Sequence, residues 1–376
     1  MSADVVVIGA GVIGASVAWH LSSRGARVTV IDRAPAAGQG STGRATGGFR
    51  AQYGSAIQVR LSLLSRAKLR RFADEVGGDC GYRPCGYLWL AETAAELQAL
   101  REAQRVQHAA GLAEARMIAP EEIAQLNPCI RSNALGAAFC PTDGFIRPLG
   151  ILNGYLDGAR RLGATIRYDA RVIGFRDGAV ETTAGTFAAG AVVNAAGAWA
   201  AEIAGLAGVE LPVTPLRRQV AATVPCALLP DDLPMTLWAG DGFHLRVRDG
   251  RVLLLQPVDE PSGFETSIDE SWLARIDALK RERIPALAGV ALDRAASWAG
   301  LYEMSPDQHA IVGEAAARPG FFLANGSSGH GVMHAPAIGQ IVSELVLDGR
   351  ATCLDASPLR HSRFAEGHPN AAPALL

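Results

Sequence analysis

What this chain lacks is informative. No apolar run approaches the roughly 18 residues that a membrane-spanning helix requires. Its cysteines (Cys80, Cys85, Cys129, Cys140, Cys226 and Cys353) are scattered without a CxxC pair, so neither a zinc ribbon nor a redox dithiol is written here, and structural thiols in a reducing compartment fit better. Surplus charge is missing too: 35 Lys and Arg stand against 37 Asp and Glu, a net charge of -2, which argues against a nucleic-acid partner. His330 and His334 are four residues apart, but no third ligand is evident nearby, so no metal site is expected. The opening residues run into four apolar positions, 5–8, with no basic segment before them and no small-residue cleavage site after. A cytoplasmic protein without a membrane span is the expectation.

What the chain does have is apolar substance: 49% apolar against 19% charged over 376 residues, enough for two domains with their own cores. Its most telling stretch comes first. Residues 4–8 read as a buried strand, Gly9, Gly11 and Gly14 as a glycine turn, 12–24 as a helix, and 27–32 as a second strand ending in Asp32. The three glycines serve different ends. Gly9 permits the tight turn, Gly11 lets backbone approach a pyrophosphate, and Gly14 lets the helix lie close to the strand. Asp32 then stands where it can accept ribose hydroxyls. The helix start adds N–H groups and a positive dipole end, so a dinucleotide site is expected here.

Further along, the loop 34–48 and its continuation to Arg50 mix glycine, serine and arginine, with Arg44 and Arg50 at its edges. Guanidinium groups match carboxylate and phosphate geometry, which favours a ligand-facing loop over a free solvent loop. The spacing predicts a helix over 55–76 whose basic residues form a solvated face, a strand over 85–91, and a helix over 93–111 entered through a Thr93/Glu96 capping box. A short helix opens at Pro120, a strand follows over 135–140, and a helix over 146–162 ends at Gly163. Short strands then occupy 164–168, 171–176 and 180–183, before a buried run over 191–199 that includes Gly197 and Trp199. Strand patterns at 219–224, 235–238, 242–247 and 252–256 lack intervening helices, which predicts a mostly antiparallel sheet and a second domain. A helix is expected over 269–283. The strand over 321–325, the glycine loop over 326–331 and the helix over 332–347 return to the opening pattern, with Gly349 as the stop and Pro336 within the first turn.

Taken together these segments resemble the FAD-dependent amino-acid oxidoreductases related to D-amino-acid oxidase, a family that includes sarcosine oxidase, glycine oxidase and dimethylglycine dehydrogenase. The likeness covers nearly the whole chain. It rests on the opening glycines with Asp32, the 41–50 loop, Val193-Asn-Ala-Ala-Gly197-Ala-Trp199, Tyr302-Glu-Met-Ser-Pro-Asp307 with Ile311-Val-Gly313, and Ser328-Gly-His-Gly331 leading to Ala335-Pro336. The resemblance implies an α/β architecture, α+β overall: a Rossmann-like FAD-binding domain from 1–80, 145–212 and 300–376, and a mostly antiparallel substrate domain from 81–144 and 213–299. It implies FAD contacts from Gly9, Gly11, Val12, Ile13, Gly14, Asp32, Arg33, Ser41, Thr42, Arg44, Ala45, Gly48, Val172, Ala196, Gly197, Trp199, Gly329, His330, Gly331, Val332 and Met333.

The same resemblance points to a small carboxylated amine as substrate, most closely an N-alkylated or cyclic amino acid such as sarcosine, dimethylglycine or proline. Arg50 aligns with an arginine that binds the substrate carboxylate. Glycine oxidase and D-amino-acid oxidase carry their carboxylate-binding arginine where this chain has Tyr302. Gly300 stands where monomeric sarcosine oxidase has its flavin-linking cysteine, and Arg44 lies near the linking histidine of dimethylglycine dehydrogenase, so non-covalent FAD is expected. Met333 and His244 replace two lysines of monomeric sarcosine oxidase, one for substrate carboxylate and one for oxygen, which argues against sarcosine and against oxygen as acceptor. The implied chemistry is hydride transfer to flavin N5 and hydrolysis of the imine. Arg50, His244, Tyr302 and His330 are the candidate catalytic residues, with Arg246 a further candidate for the cavity wall. A primary-amine deaminating enzyme, a flavin-binding subunit with little turnover, a homo-oligomer and membership of a larger flavoprotein complex all stay open.

Overall fold

A computed structural model describes residues 4–372. The outer ends of the expected FAD-binding domain, 1–3 and 373–376, lie outside the described residues. The valine-rich opening strand Asp4–Ile8 sits inside a six-stranded sheet, between Ala191–Asn194 and Arg27–Ile31. Phe321–Asn325 and Ile311–Glu314 extend the sheet on one side and Thr165–Arg167 on the other. Pairing is parallel except at the Ile311–Glu314 edge. Covering on both faces explains the unbroken apolar run of the opening strand. Val5 and Val7 face a helical layer, while Val6 and Ile8 face the small sheet built from Val172–Arg176, Ala179–Thr182 and Gly185–Ala188.

The helical layer is organised by Val12–Ser23, which packs against Gly331–Asp348 and Pro148–Arg161. Contact with the C-terminal helix is close because a Cβ at Gly339 would lie 2.2 Å from Ser16 Oγ. The opening and closing glycine turns are thereby fixed side by side. Pro336 lies in the second turn of this helix rather than the first, and it has no N–H to give the Val332 carbonyl.

The second sheet has eight strands in the order Trp298–Met304, Thr214–Ala222, Arg251–Leu255, His244–Arg248, Met235–Trp238, Tyr87–Ala91, Gly136–Cys140 and Arg116–Ile118. Only the Met235–Trp238 pairing with Tyr87–Ala91 is parallel. Trp272, Leu273 and Ile276 of helix Glu270–Arg283 seal one face against Leu245 and Leu254. Trp298–Met304 straddles the expected boundary at residue 300 and forms an edge of this sheet.

Several local expectations shift. The helix expected over 55–76 is two, Ala56–Arg70 and Phe72–Glu75. Its basic residues are not all solvated: Arg66 is buried, bonded to Thr142 and 3.1 Å from a Glu114 oxygen. Strands Arg116–Ile118, Gly185–Ala188, Trp298–Met304 and Ile311–Glu314 do not stand out from spacing, being short or rich in glycine and charge. No helix is long and apolar enough to cross a membrane among the described residues.

Candidate active site

A cavity of about 720 Å³ runs from the opening glycine turn to the start of the C-terminal helix, with the large sheet as its far wall. At the opening turn, Gly9 adopts a φ of +108°, and a Cβ there would lie 2.3 Å from the Ala195 carbonyl oxygen. The turn and the strand Ala191–Asn194 therefore meet backbone to backbone. Gly14 is set back from the cavity, where its own Cβ would strike the Gly9 carbonyl at 1.9 Å, so its role is packing.

Asp32 is held by two backbone donors. Its Oδ2 accepts from Ala10 N–H at 2.6 Å and its Oδ1 from Ala34 N–H at 2.8 Å, leaving one lone pair on each oxygen for hydroxyls. Thr42 Oγ1 accepts the Val12 N–H at 3.1 Å, so the 41–50 loop is clamped onto the helix start. Beside them Arg33 lies 3.5 Å over the Trp199 ring, next to Gly197 at φ +57°. Ser41 Oγ donates to the Leu301 carbonyl at 2.7 Å, tying the loop to the large sheet.

At the other end, the N–H groups of Gly331, Val332 and Met333 open the C-terminal helix towards the cavity, with no acceptor for them among the described residues. Arg50 is buried, its guanidinium centred 4.4 Å from the Tyr53 ring and 4.9 Å from the Trp89 ring. Its Nη2 donates to His330 Nε2 at 3.0 Å. His330 must then accept at Nε2 and carry its proton on Nδ1, which is buried without a partner. Burial, helped by the Arg50 charge, holds the His330 pKa well below its ordinary value. Tyr53 donates its hydroxyl to Met333 Sδ at 3.0 Å.

The segment bearing Arg50 is fixed by Asp143, whose carboxylate accepts from Ala51 N–H at 2.8 Å and Gln52 N–H at 3.3 Å. Burial pushes the Asp143 carboxyl up to about 7 against those donors. On the large sheet, His244 donates Nδ1–H to the Gly242 carbonyl at 2.8 Å, leaving Nε2 as an acceptor. Burial, with a smaller push from Arg50, lowers its pKa to about 4. Tyr302 packs on Gly329, where a Cβ would lie 2.3 Å from the ring.

All the residues expected to contact cofactor or substrate line this one cavity except Gly14 and Arg246. Arg246 is turned onto the Phe145 ring at 4.1 Å and bonded to the Thr46 carbonyl, so it buttresses the glycine loop from behind. Sequence reasoning missed Tyr87 and Arg218, both cavity-lining. Two-residue alternation along Thr214–Ala222 would put Arg218 on one face with Leu216 and Val220, but the strand pattern is legible only from 219 onwards.

The arrangement suits a dinucleotide that ends in a ring needing negative charge stabilised: an acid for ribose, two helix starts, and glycine cradles that admit no side chain. A family model described as "DAO: FAD dependent oxidoreductase" matches residues 4–345. The chain belongs to this family. FAD is therefore its cofactor, and the protein is an oxidoreductase. Among its relatives, glycine oxidase of Geobacillus kaustophilus is 28% identical over 96% of this chain and 97% of its own length. Mouse mitochondrial dimethylglycine dehydrogenase is 30% identical over 96% of this chain, which spans 44% of that protein. The crystal structure of L-proline dehydrogenase from P. horikoshii superposes with a TM-score of 0.92 at 28% identity, covering 98% of this chain and 99% of that one.

Proposed function

We propose that the protein oxidises the C–N bond of a small secondary or tertiary amino acid, of the N-alkylated or cyclic kind, with FAD bound non-covalently. The observation that carries this reading is the Arg50 guanidinium at the cavity wall beside the start of the C-terminal helix, with Tyr302 rather than a cation opposite the glycine loop. The dimethylglycine and L-proline dehydrogenases it resembles act, by their names, on amines of this kind.

FAD, when bound, supplies a two-electron acceptor. Asp32 and the first glycine turn would hold its ribose and pyrophosphate, with Arg33 and Trp199 beside them. The N–H groups of Gly331, Val332 and Met333 would face the part of the ring that gains negative charge, a preorganised field that needs no titrating base. Gly300 and Arg44 offer neither thiol nor imidazole, and they adjoin: a Cβ at Gly300 would be 3.0 Å from Arg44 Cβ.

Arg50 would pair with the substrate carboxylate through its planar fork, and His330 would steady that fork from the side. His244, neutral with a free Nε2 lone pair, suits acceptance of an amine N–H. Arg50 and His244 would hold the substrate so that its nitrogen lone pair closes a C=N bond as FAD in this site takes up the electron pair of the α C–H bond. Water would then add to that bond, splitting an acyclic substrate into amine and carbonyl products and opening the ring of a cyclic one.

The second reading is a primary-amine enzyme of the glycine or D-amino-acid oxidase kind, and the presence of Arg218 as a further cation at the cavity favours it. Anaerobic mixing with sarcosine, dimethylglycine, L-proline, glycine and D-alanine separates the two. Faster loss of flavin absorbance with the first three supports the proposal. Faster loss with glycine or D-alanine replaces it by the second reading, and no loss with any amine leaves a flavin-binding subunit as the better account.

A further inference from the structure

The register of the large sheet puts Arg218 directly opposite Gly300 and two pairs along from Leu216 and Tyr302, on the same face. Arg44 packs over Gly300, where a Cβ would lie 3.0 Å from Arg44 Cβ, and the Arg218 guanidinium comes to 5.7 Å from the centre of the Tyr302 ring. Its Nη1 donates to the carbonyls of Arg217 and Val258, both at 3.2 Å. No carboxylate pairs with it among the described residues; its neighbour Arg217 takes Glu260 instead. Tyr302 is thus bracketed. Burial raises its hydroxyl pKa, while the charges of Arg218 and Arg50, in that order, pull it down.

Two guanidinium groups therefore act on one compartment at the Tyr302 end of the cavity. The acid nearest in the chain, Glu303, accepts from Ser327 N–H at 3.2 Å, and burial pushes its carboxyl up to about 7, so it is a weak counter-charge. A substrate with a single carboxylate on Arg50 leaves Arg218, half-buried and bonded to two backbone carbonyls, as a second cation at the cavity wall that another anionic group on the ligand would meet.

Building on the secondary-amine reading above, we infer that the substrate is a dicarboxylic secondary amine, with one carboxylate on Arg50 and the second received by Arg218 across the Tyr302 ring. Oxidation follows the same balance as above. One C–H bond on an N-linked carbon breaks, its two electrons pass to oxidised flavin, and a C=N bond forms. Water then cleaves that bond to a carbonyl acid and a primary amine. The second carboxylate takes no part in bond making; it sets which amine is held.

The test is anaerobic flavin reduction by the holoenzyme with two probe pairs: sarcosine against iminodiacetate, and N-methylalanine against N-methylaspartate. The quantity read is the limiting reduction rate divided by the apparent Kd. In the wild type this should favour the dicarboxylate of each pair by at least about tenfold, a preference of roughly 1.4 kcal/mol. Arg218→Gln should cut that ratio by about tenfold or more, and Arg218→Lys should keep most of it. A wild-type ratio near or below one, or an equal fall for both members of a pair in Arg218→Gln, overturns the inference. If monocarboxylic secondary amines reduce the flavin and dicarboxylic ones do not, the inference falls while the secondary-amine reading stands. If no secondary amine reduces it, both fall.

Discussion

Arg50 donates to His330 Nε2 at 3.0 Å, so a residue from the glycine loop and one from the start of the C-terminal helix are locked together across 280 positions of sequence. The contact joins the proposed substrate anchor to the proposed charge-stabilising helix end. It also keeps His330 neutral, because a protonated ring could not accept from a guanidinium.

Arg50→Ala removes the fork while leaving the nucleotide end untouched. A charge-assisted bidentate pair in a buried site is worth roughly 3 kcal/mol, so the apparent Kd for a carboxylated substrate should rise by about 100-fold. Arg50→Lys should recover only part of it, since an ammonium lacks the planar fork. Stopped-flow titration of flavin reduction checks this, with the flavin-to-protein ratio as control. Unchanged saturation constants for every carboxylated substrate would reject the role.

Gly9→Ala tests the cradle at the other end. It would force an L residue into a φ of +108° and place a methyl 2.3 Å from a backbone oxygen that cannot move without dragging the sheet. Strain and overpacking together cost about 2 to 5 kcal/mol. Protein recovered by gel filtration should carry little FAD and show a lowered urea midpoint. Full flavin occupancy at an unaltered midpoint would mean the turn has another conformation.

How much of this could be read from the residues differs between the two ends. Gly9, Gly11, Asp32 and Gly331 are legible because what they do depends on local geometry: a turn, a close approach, a helix end. Arg218 is not, since its significance comes from pairing with a strand more than 80 residues away, which brings it to the Tyr302 ring. Arg246 misleads for the same reason. It shares a sheet face with His244, but Phe145 and the Thr46 carbonyl claim its guanidinium before it reaches the cavity. Arg66 looks solvated because helical spacing does not reveal that Thr142 and Glu114 lie over it.

In the proposed site Asp143 acts on the substrate only through the segment that bears Arg50. Asp143→Ala strips the acceptor from the Ala51 and Gln52 N–H groups, each a buried donor worth about 1 to 3 kcal/mol when left unpaired. Loosening of the Arg50 segment should raise the substrate Kd about tenfold with flavin content preserved. Asp143→Asn keeps one acceptor oxygen and should fall between. Loss of stability in Asp143→Ala with no change in Kd would make the residue a purely structural anchor.

His20 offers a test of burial through pH. Burial first, and the Lys68 charge second, lower its pKa to about 3; its Nδ1 bonds the Ser16 carbonyl at 2.8 Å and its Nε2 has no partner. The unfolded chain takes up a proton near pH 6.5, and the folded chain refuses it until about pH 3. Because the unfolded state binds more protons across that window, stability contributed by neutral His20 is complete above about 6.5 and declines as pH falls, at about 1.4 kcal/mol per unit. His20→Leu removes the titration. Urea midpoints measured from pH 7 to pH 4.5 should therefore fall less steeply in His20→Leu than in the wild type, by one proton's worth of slope. Parallel curves would show that His20 is protonated in the folded chain after all, and that water reaches the crossing of Val12–Ser23 and Gly331–Asp348.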